Sequence, residues 1–233
     1  GAKETTLIRM TTAYAMLVNG GKRITPTFID RIQDRLGRPV FKHDDRNCEN
    51  CRVDQWEDQR VPRIPDTRAQ VTDPASAFQV VNMLKGVVER GTGRRVSAVG
   101  KPLAGKTGTT NEERDTWFVG FSPDLAVGVF VGFDDRLPLG RRETGSSVAA
   151  PIFRDFMAGA LADQPATPFR TPPGIRLVRV DSNTGVLARP GDKNVILEAF
   201  KDGTQPSTSA SVIEGETWSD GSGEGGFLAA PST

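Results

Sequence analysis

Residues 99–110 read VGKPLAGKTGTT, and this is the part of the chain whose side chains most suggest chemistry. Lys106 offers a fixed positive charge, while Thr107 and Thr109 offer hydroxyl groups. Gly108 lets a second chain approach the backbone closely. A cation beside two hydroxyls suits the binding of a carboxylate. Lys106, Thr107, Gly108 and Thr109 are therefore a candidate carboxylate-binding site.

The same stretch also fits a phosphate-binding pattern. Residues 100–107 match G-x-x-x-x-G-K-(S/T) in full, a loop that should join a buried strand to the first turn of a helix. Only a weak apolar run, residues 96–99, precedes it, and the polar run NEERD at 111–115 follows where an amphipathic helix should begin. Nucleotide binding stays an alternative that its surroundings disfavour.

Two apolar runs after the motif predict a pair of buried strands. Residues 117–121 read WFVGF, a Ser-Pro-Asp turn occupies 122–124, and residues 125–133 read LAVGVFVGF. Apolar runs joined by such a turn are typical of a hairpin. With the motif as a third strand, the sequence predicts an antiparallel meander.

Helices are expected around this meander, which makes the fold class α+β: an antiparallel β-sheet flanked by helices. One predicted helix ends at Asn19-Gly20-Gly21, and a second starts at Asp73-Pro74 and runs to Gly91. A third starts at about Pro151, and its predicted apolar face consists of Ile152, Phe153, Phe156, Met157 and Ala160. Residues 23–41 predict a hairpin on a sheet edge.

Composition bounds the function. The chain has 233 residues, a net charge of +1 and 36% hydrophobic residues, enough for one globular domain. Its near-neutral charge gives no footprint for nucleic acid, so no nucleic-acid partner is expected. It holds no run of about eighteen apolar residues, and nothing in it calls for a cofactor or a metal.

The region beyond residue 163 differs in composition from the rest. Residues 164–173 are proline-rich and linker-like, and residues 175–185 predict a strand followed by a turn. Residues 164–201 are therefore expected to form a linker and a small β appendage. Residues 202–233 are rich in Ser and Gly, with few apolar groups, and are expected to be a disordered tail.

A second place for chemistry is the charged segment between residues 42 and 70. His43, Cys48 and Cys51 lie there, with the spacing H-x4-C-x2-C. A single cysteine pair is a weak zinc signal, and a disulfide or free thiols are the alternatives. His43 is interpreted as a solvated loop residue.

Four segments, in this order, resemble the C-terminal half of the transpeptidase domain of class A (bifunctional) penicillin-binding proteins. They are TTAYAMLVNGG at 11–21, GKTGTTN at 105–111, WFVGF at 117–121 and AAPI at 149–152. The resemblance covers about residues 1–163 and includes the K-T-G element of penicillin-recognising serine enzymes. It implies part of the β-lactamase/transpeptidase-like fold.

This resemblance also implies an activity: a serine-type DD-transpeptidase that cross-links peptidoglycan stem peptides ending in D-Ala-D-Ala through an acyl-enzyme. β-Lactams would acylate the same serine. Lys106 would supply positive potential to the substrate carboxylate, the hydroxyls of Thr107 and Thr109 would hydrogen-bond it, and the Thr109 N–H would be an oxyanion donor. The implied location is the periplasm, at the extracytoplasmic face of the inner membrane.

The chain departs from this family in one respect: it contains no S-x-x-K and no S-x-N. In the family both elements precede the region that matches, so the nucleophile is expected in an N-terminal half that this chain lacks. That half, with a glycosyltransferase domain and a membrane anchor, is an expected partner, and the chain alone is expected to be inactive. A non-catalytic binding module of the same fold is the remaining alternative.

Overall fold

The structure is a computed structural model that describes residues 4–46, 48, 51, 55, 57–62, 64–135 and 137–206. Most of the expected disordered tail, residues 207–233, lies outside the described residues. Within the described ranges, no helix has the length and apolar character needed to cross a membrane.

Helices and strands alternate irregularly along the chain. The helices are α1 (Leu7–Val18), α2 (Pro74–Arg90) and α3 (Ala150–Ala160). The strands are β1 (Arg31–Gln33), β2 (Pro39–Lys42), β3 (Ala104–Thr109), β4 (Asp115–Phe121), β5 (Ala126–Gly132), β6 (Ile175–Asp181) and β7 (Val195–Lys201). A 3-10 helix spans Arg94–Val99, and a π-helical turn spans Gly145–Ala149.

The central sheet is the predicted antiparallel meander, in the order β3-β4-β5. Lys106 lies opposite Val119, which in turn lies opposite Gly128. Because side chains alternate along a strand, Ala104, Lys106 and Gly108 share one face of the sheet, while Gly105, Thr107 and Thr109 share the other. The α+β class is confirmed.

Each face of this sheet is covered by helices and has its own core. On the face of Thr107, Phe118 packs against Phe153 of α3, with ring centroids 4.7 Å apart, and Met157 and Val96 are also fully buried. On the face of Lys106, Phe121 and Ala104 pack with Val81 of α2 and Tyr14 of α1. Residues from all three helices thus hold the sheet from both sides.

Helix boundaries follow the local sequence. Asp73 caps α2 by accepting a hydrogen bond from the Ser76 N–H at 2.9 Å, and Pro74 occupies the first turn, as predicted. α1 ends at Val18 with Asn19 as its C-cap, at the predicted Asn19-Gly20-Gly21 boundary. The two glycines after Asn19 both have positive φ, which accounts for that boundary.

The predicted apolar face of α3 was partly wrong. Phe153 and Met157 are fully buried, but Ile152 is 47% exposed and Phe156 is 53% exposed. Successive helical residues lie about 100° apart around the helix axis. Because Phe153 and Met157 point into the core, Ile152 and Phe156, each one residue earlier, are turned away from the sheet.

The hairpin predicted within residues 23–41 forms, but on no edge of the central sheet. β1 and β2 pair with each other as a separate two-stranded sheet. All of their residues are exposed, so the hairpin has no buried face with which to join the core. Nearby, Cys48 and Cys51 form a disulfide, with their Cα atoms 5.5 Å apart.

β6 and β7 form an antiparallel hairpin that lies against α2. The Lys201 ammonium lies 3.0 Å from an Asp73 carboxylate oxygen and donates to Ser76 Oγ at 2.9 Å. Gln79 donates to the Ala199 carbonyl at 3.0 Å, and Asn82 donates to the Glu198 carboxylate at 2.8 Å. The predicted β appendage therefore contacts the helix through polar groups.

Candidate active site

The four candidate residues lie on β3, which is an edge strand of the central sheet. The Thr110 N–H donates to the Asp115 carbonyl at 3.0 Å, where the β3–β4 ladder ends. Backbone groups alternate in direction along an antiparallel pair, so the N–H groups of Thr109 and Thr107 point away from β4. The strand therefore presents a row of backbone donors and acceptors along its free edge.

Lys106 is exposed at this edge. Its ammonium donates to the Thr107 carbonyl at 2.9 Å and lies 3.5 Å from Thr107 Oγ1. The described structure gives Lys106 no carboxylate partner within ion-pair distance, which leaves its positive charge available to a ligand. A cation in this position favours an anionic group that approaches along the strand edge.

An open groove of about 820 Å³ runs past the Lys106 face of β3. Trp117 and Phe130 form part of one wall, with ring centroids 4.7 Å apart, and Met10 and Tyr14 of α1 contribute to it. Burial raises the pKa of the Tyr14 hydroxyl. The groove thus combines a cation and hydroxyls with an apolar wall, which suits a ligand with an anionic end and an apolar body.

The side chains of Thr107 and Thr109 leave β3 on the face of the sheet opposite Lys106, yet both residues also line the groove. Their hydroxyls are held by other segments. Thr107 Oγ1 lies 2.8 Å from the hydroxyl oxygen of Thr92, in the loop between α2 and the 3-10 helix. Thr109 Oγ1 accepts a hydrogen bond from the Gly145 N–H at 3.0 Å. Both hydroxyls therefore have fixed positions before any ligand arrives.

Glycines allow the close packing around this strand. A Cβ on Gly145 would lie 2.5 Å from the carbonyl oxygens of Gly108 and Trp117, so the π-helical turn touches β3 and β4 directly. A Cβ on Gly108 would lie 3.1 Å from the Trp117 Cβ. The absence of a side chain at Gly108 therefore makes room for Trp117 as well as for a ligand.

The sequence predicted Lys106 through Thr109 but missed Thr92, Gly145 and Ser146. Ser146 Oγ donates to the Thr92 carbonyl at 2.8 Å, which ties the π-helical turn to the loop behind Thr107. These residues lie in segments without hydrophobic periodicity, far along the chain from the motif. No contiguous motif in the sequence marks them.

The phosphate-loop interpretation is wrong. Gly100 follows a 3-10 helix, and Lys106 lies inside β3, which continues to Thr109 and is followed only by a three-residue 3-10 turn at Asn111–Glu113. A phosphate loop needs the N-terminus of a helix at that point.

In the described part of the chain, no three metal-binding side chains form a cluster that could hold an ion.

Comparison with known proteins identifies relatives of one kind. Residues 1–158 match the family model of the penicillin binding protein transpeptidase domain. The chain is 47% identical over 203 residues to penicillin-binding protein 1A of Rickettsia conorii, which covers 86% of the chain and 25% of that protein. It is 35% identical over 240 residues to penicillin-binding protein 1A of Pseudomonas aeruginosa, covering 90% of the chain and 29% of that protein.

A solved structure agrees with these sequence relatives. The crystal structure of penicillin-binding protein 1A from Haemophilus influenzae superimposes with a TM-score of 0.69 and 30% sequence identity. The match covers 89% of the chain described above and 33% of that protein. The chain thus spans roughly a quarter to a third of the length of the relatives it matches.

Proposed function

The chain belongs to the penicillin-binding protein transpeptidase family, and we propose that it supplies the substrate-binding edge of a peptidoglycan DD-transpeptidase. The observation that carries the proposal is the exposed edge of β3, where a lysine, two held hydroxyls and outward backbone groups line one groove. Peptides that end in D-Ala-D-Ala are the proposed substrates, and β-lactams are proposed to bind the same place.

Binding by strand addition fits this edge. An extended peptide can pair with the outward N–H and C=O groups of Thr107 and Thr109, as peptides do at exposed sheet edges. Lys106 then supplies positive potential to the terminal carboxylate of the peptide. The hydroxyls of Thr107 and Thr109 hydrogen-bond that carboxylate, and the apolar wall of the groove contacts the rest of the ligand.

In the proposed reaction, the residues of β3 stabilise charge and do not form covalent bonds. A serine outside this sequence attacks the carbonyl carbon of the penultimate D-alanine, and its proton passes to a base that is also outside this sequence. The Thr109 N–H donates to the carbonyl oxygen as that oxygen gains negative charge. The peptide bond then breaks, the base gives its proton to the nitrogen of the leaving D-alanine, and the acyl group stays on the serine as an ester. An amine of a neighbouring stem peptide attacks this ester, and its proton passes through the base to the serine oxygen as the ester bond breaks.

The proposed protein is longer than the chain. The chain alone is inactive in this proposal because it contains no S-x-x-K, and its partner is an N-terminal half with the nucleophile, a glycosyltransferase domain and a membrane anchor. The site faces the periplasm. Residues 1–163 form the transpeptidase part and residues 164–201 the β appendage, a division that the family match over residues 1–158 supports.

The test is a chimera in which this chain replaces the matching segment of the Pseudomonas aeruginosa penicillin-binding protein 1A. The chimera is expected to react covalently with a fluorescent penicillin at a serine outside this chain, whereas the 233-residue chain is expected not to react. Lys106→Ala in the chimera should slow acylation by about 30- to 1000-fold, because a charge-assisted contact is lost. Lys106→Arg should recover part of that loss.

Two results would count against the proposal. A folded chimera without reaction would favour the non-catalytic binding module of the same fold. If Lys106→Ala leaves the acylation rate unchanged, Lys106 does not take part in the site.

A further inference from the structure

Thr92 lies directly behind the proposed substrate-binding edge. Its hydroxyl oxygen is 2.8 Å from the Thr107 hydroxyl oxygen, and its main-chain carbonyl accepts a hydrogen bond from Ser146 Oγ at 2.8 Å. The loop also packs closely against the core, because a Cβ on the neighbouring Gly93 would lie 3.3 Å from the Phe118 ring. Thr92 therefore has a defined position relative to β3.

Hydrogen counting gives this contact a direction. A hydroxyl has one hydrogen to donate and two lone pairs that accept. A substrate carboxylate only accepts, so Thr107 binds it well only if its single hydrogen is not given to Thr92. The Lys106 ammonium, 3.5 Å from Thr107 Oγ1, only donates, and it approaches the same oxygen.

Thr92 can supply the other donor. Ser146 contacts the carbonyl of Thr92 and not its hydroxyl, so the Thr92 hydrogen remains available to Thr107. When Thr92 and Lys106 both donate to its oxygen, Thr107 keeps its own hydrogen for another acceptor. The arrangement presets a donor for an incoming carboxylate.

We propose that Thr92, held by Ser146, is a positioning residue that directs the Thr107 hydroxyl toward the substrate carboxylate. This inference rests on the proposed function and adds to that function a residue that favours ligands with a carboxylate. Thr92 itself touches no reacting atom. Its effect should appear only for ligands that carry the carboxylate.

The experiment compares Thr92→Val with Thr92→Ser in the acylation-competent chimera. Valine keeps the shape of threonine without the donor, whereas serine keeps the donor. The ligands are benzylpenicillin and its methyl ester, which differ in the carboxylate alone. Thr92→Val should slow acylation by benzylpenicillin roughly three- to tenfold, the size of one neutral hydrogen bond.

The same variant should leave the rate with the methyl ester unchanged. Thr92→Ser should restore the rate with benzylpenicillin. A matched control is Ser97→Ala, which removes a hydroxyl that donates to the Arg94 carbonyl at 2.7 Å in the adjoining 3-10 helix. Because the hydroxyl of Ser97 donates within its own 3-10 helix, this control should change neither rate.

Equal losses with both ligands would show that Thr92 only supports the fold, and no loss with either would show that it does not orient Thr107. Either result overturns the inference while the proposed function stands. If the unsubstituted chimera reacts with neither ligand, both fail together.

A second measurement needs only the 233-residue chain. Amide NMR shifts of residues 106–109 are followed during titration with N-acetyl-D-Ala-D-Ala and with its C-terminal amide. Thr92→Val should weaken the response to the free acid and leave the response to the amide unchanged. A response to the free acid that Thr92→Val does not alter would overturn the inference.

Discussion

Gly145 sets how closely the π-helical turn approaches the edge of β3 that is proposed to bind substrate. The N–H of this residue holds the Thr109 hydroxyl, and its Cα faces the backbone of Gly108 and Trp117. A side chain at this position must push the turn away from β3. Position 145 therefore links packing to the geometry of the proposed site.

Gly145→Ala is predicted to destabilise the chain by about 1–3 kcal/mol, the usual cost of overpacking a tight interior contact. Urea unfolding of the 233-residue chain measures this change. Gly159→Ala is the matched control, since a Cβ on Gly159 of α3 meets nothing within 4 Å. We expect that control to leave stability unchanged or to raise it by up to about 1 kcal/mol, because alanine favours a helix over glycine. Equal effects of the two substitutions would contradict the packing assigned to Gly145.

At the residue scale, the sequence predicted the candidate site only where a motif is contiguous. Lys106 to Thr109 could be found because four adjacent residues share one strand. Thr92 and Gly145 could not, because they approach the strand from 15 and 36 residues away along the chain. Their contacts depend on how two loops pack, which no local pattern encodes.

At the scale of elements, the β appendage is held to α2 by charge. The Lys201 ammonium, together with the N–H and hydroxyl of Ser76, holds the pKa of Asp73 at about 2. The ordinary value is 3.8. Because the folded pKa lies below the unfolded one, this carboxylate stabilises the fold fully above about pH 4, and the contribution disappears as the pH falls toward 2.

Asp73→Asn isolates that contribution, because asparagine caps a helix about as well as aspartate but carries no charge. Urea midpoints of the unsubstituted chain and the variant should differ most at pH 6, and the difference should shrink steadily between pH 4 and pH 2.5. Other carboxylates titrate in both proteins and cancel in the difference. A gap that stays constant over this range would show that the Lys201 contact does not stabilise the folded chain.

Elements with strong periodicity could be predicted, and elements fixed by tertiary packing could not. α2 and the β4–β5 hairpin follow from their caps, turns and apolar runs. The outer face of α3 and the position of the β1–β2 hairpin were wrong, since both depend on which surface a neighbouring element covers. The pairing of β6 with β7 was not specified either, although the apolar run VILEAF at 195–200 lies between turn-forming residues and is typical of a strand.

At the scale of the whole molecule, the two faces of the central sheet differ: one is a closed core and the other borders an open groove. One face and α3 form a closed core around Phe118 and Phe153, which supports β3 from behind. The other face leaves Lys106 in an open groove beside α1. β3 is thus supported from behind and open on the other face, and the nucleophile is proposed to lie in a separate part of the protein.

The most direct test of this account is a crystal structure of the chimera acylated by benzylpenicillin. We expect the acyl carbonyl oxygen to accept a hydrogen bond from the Thr109 N–H at about 2.7–3.1 Å. The ligand carboxylate should lie within hydrogen-bond distance of the hydroxyls of Thr107 and Thr109, on the side to which the Lys106 ammonium contributes its charge. An acyl group bound away from β3, with its carbonyl oxygen held only by groups outside residues 106–109, would contradict the account.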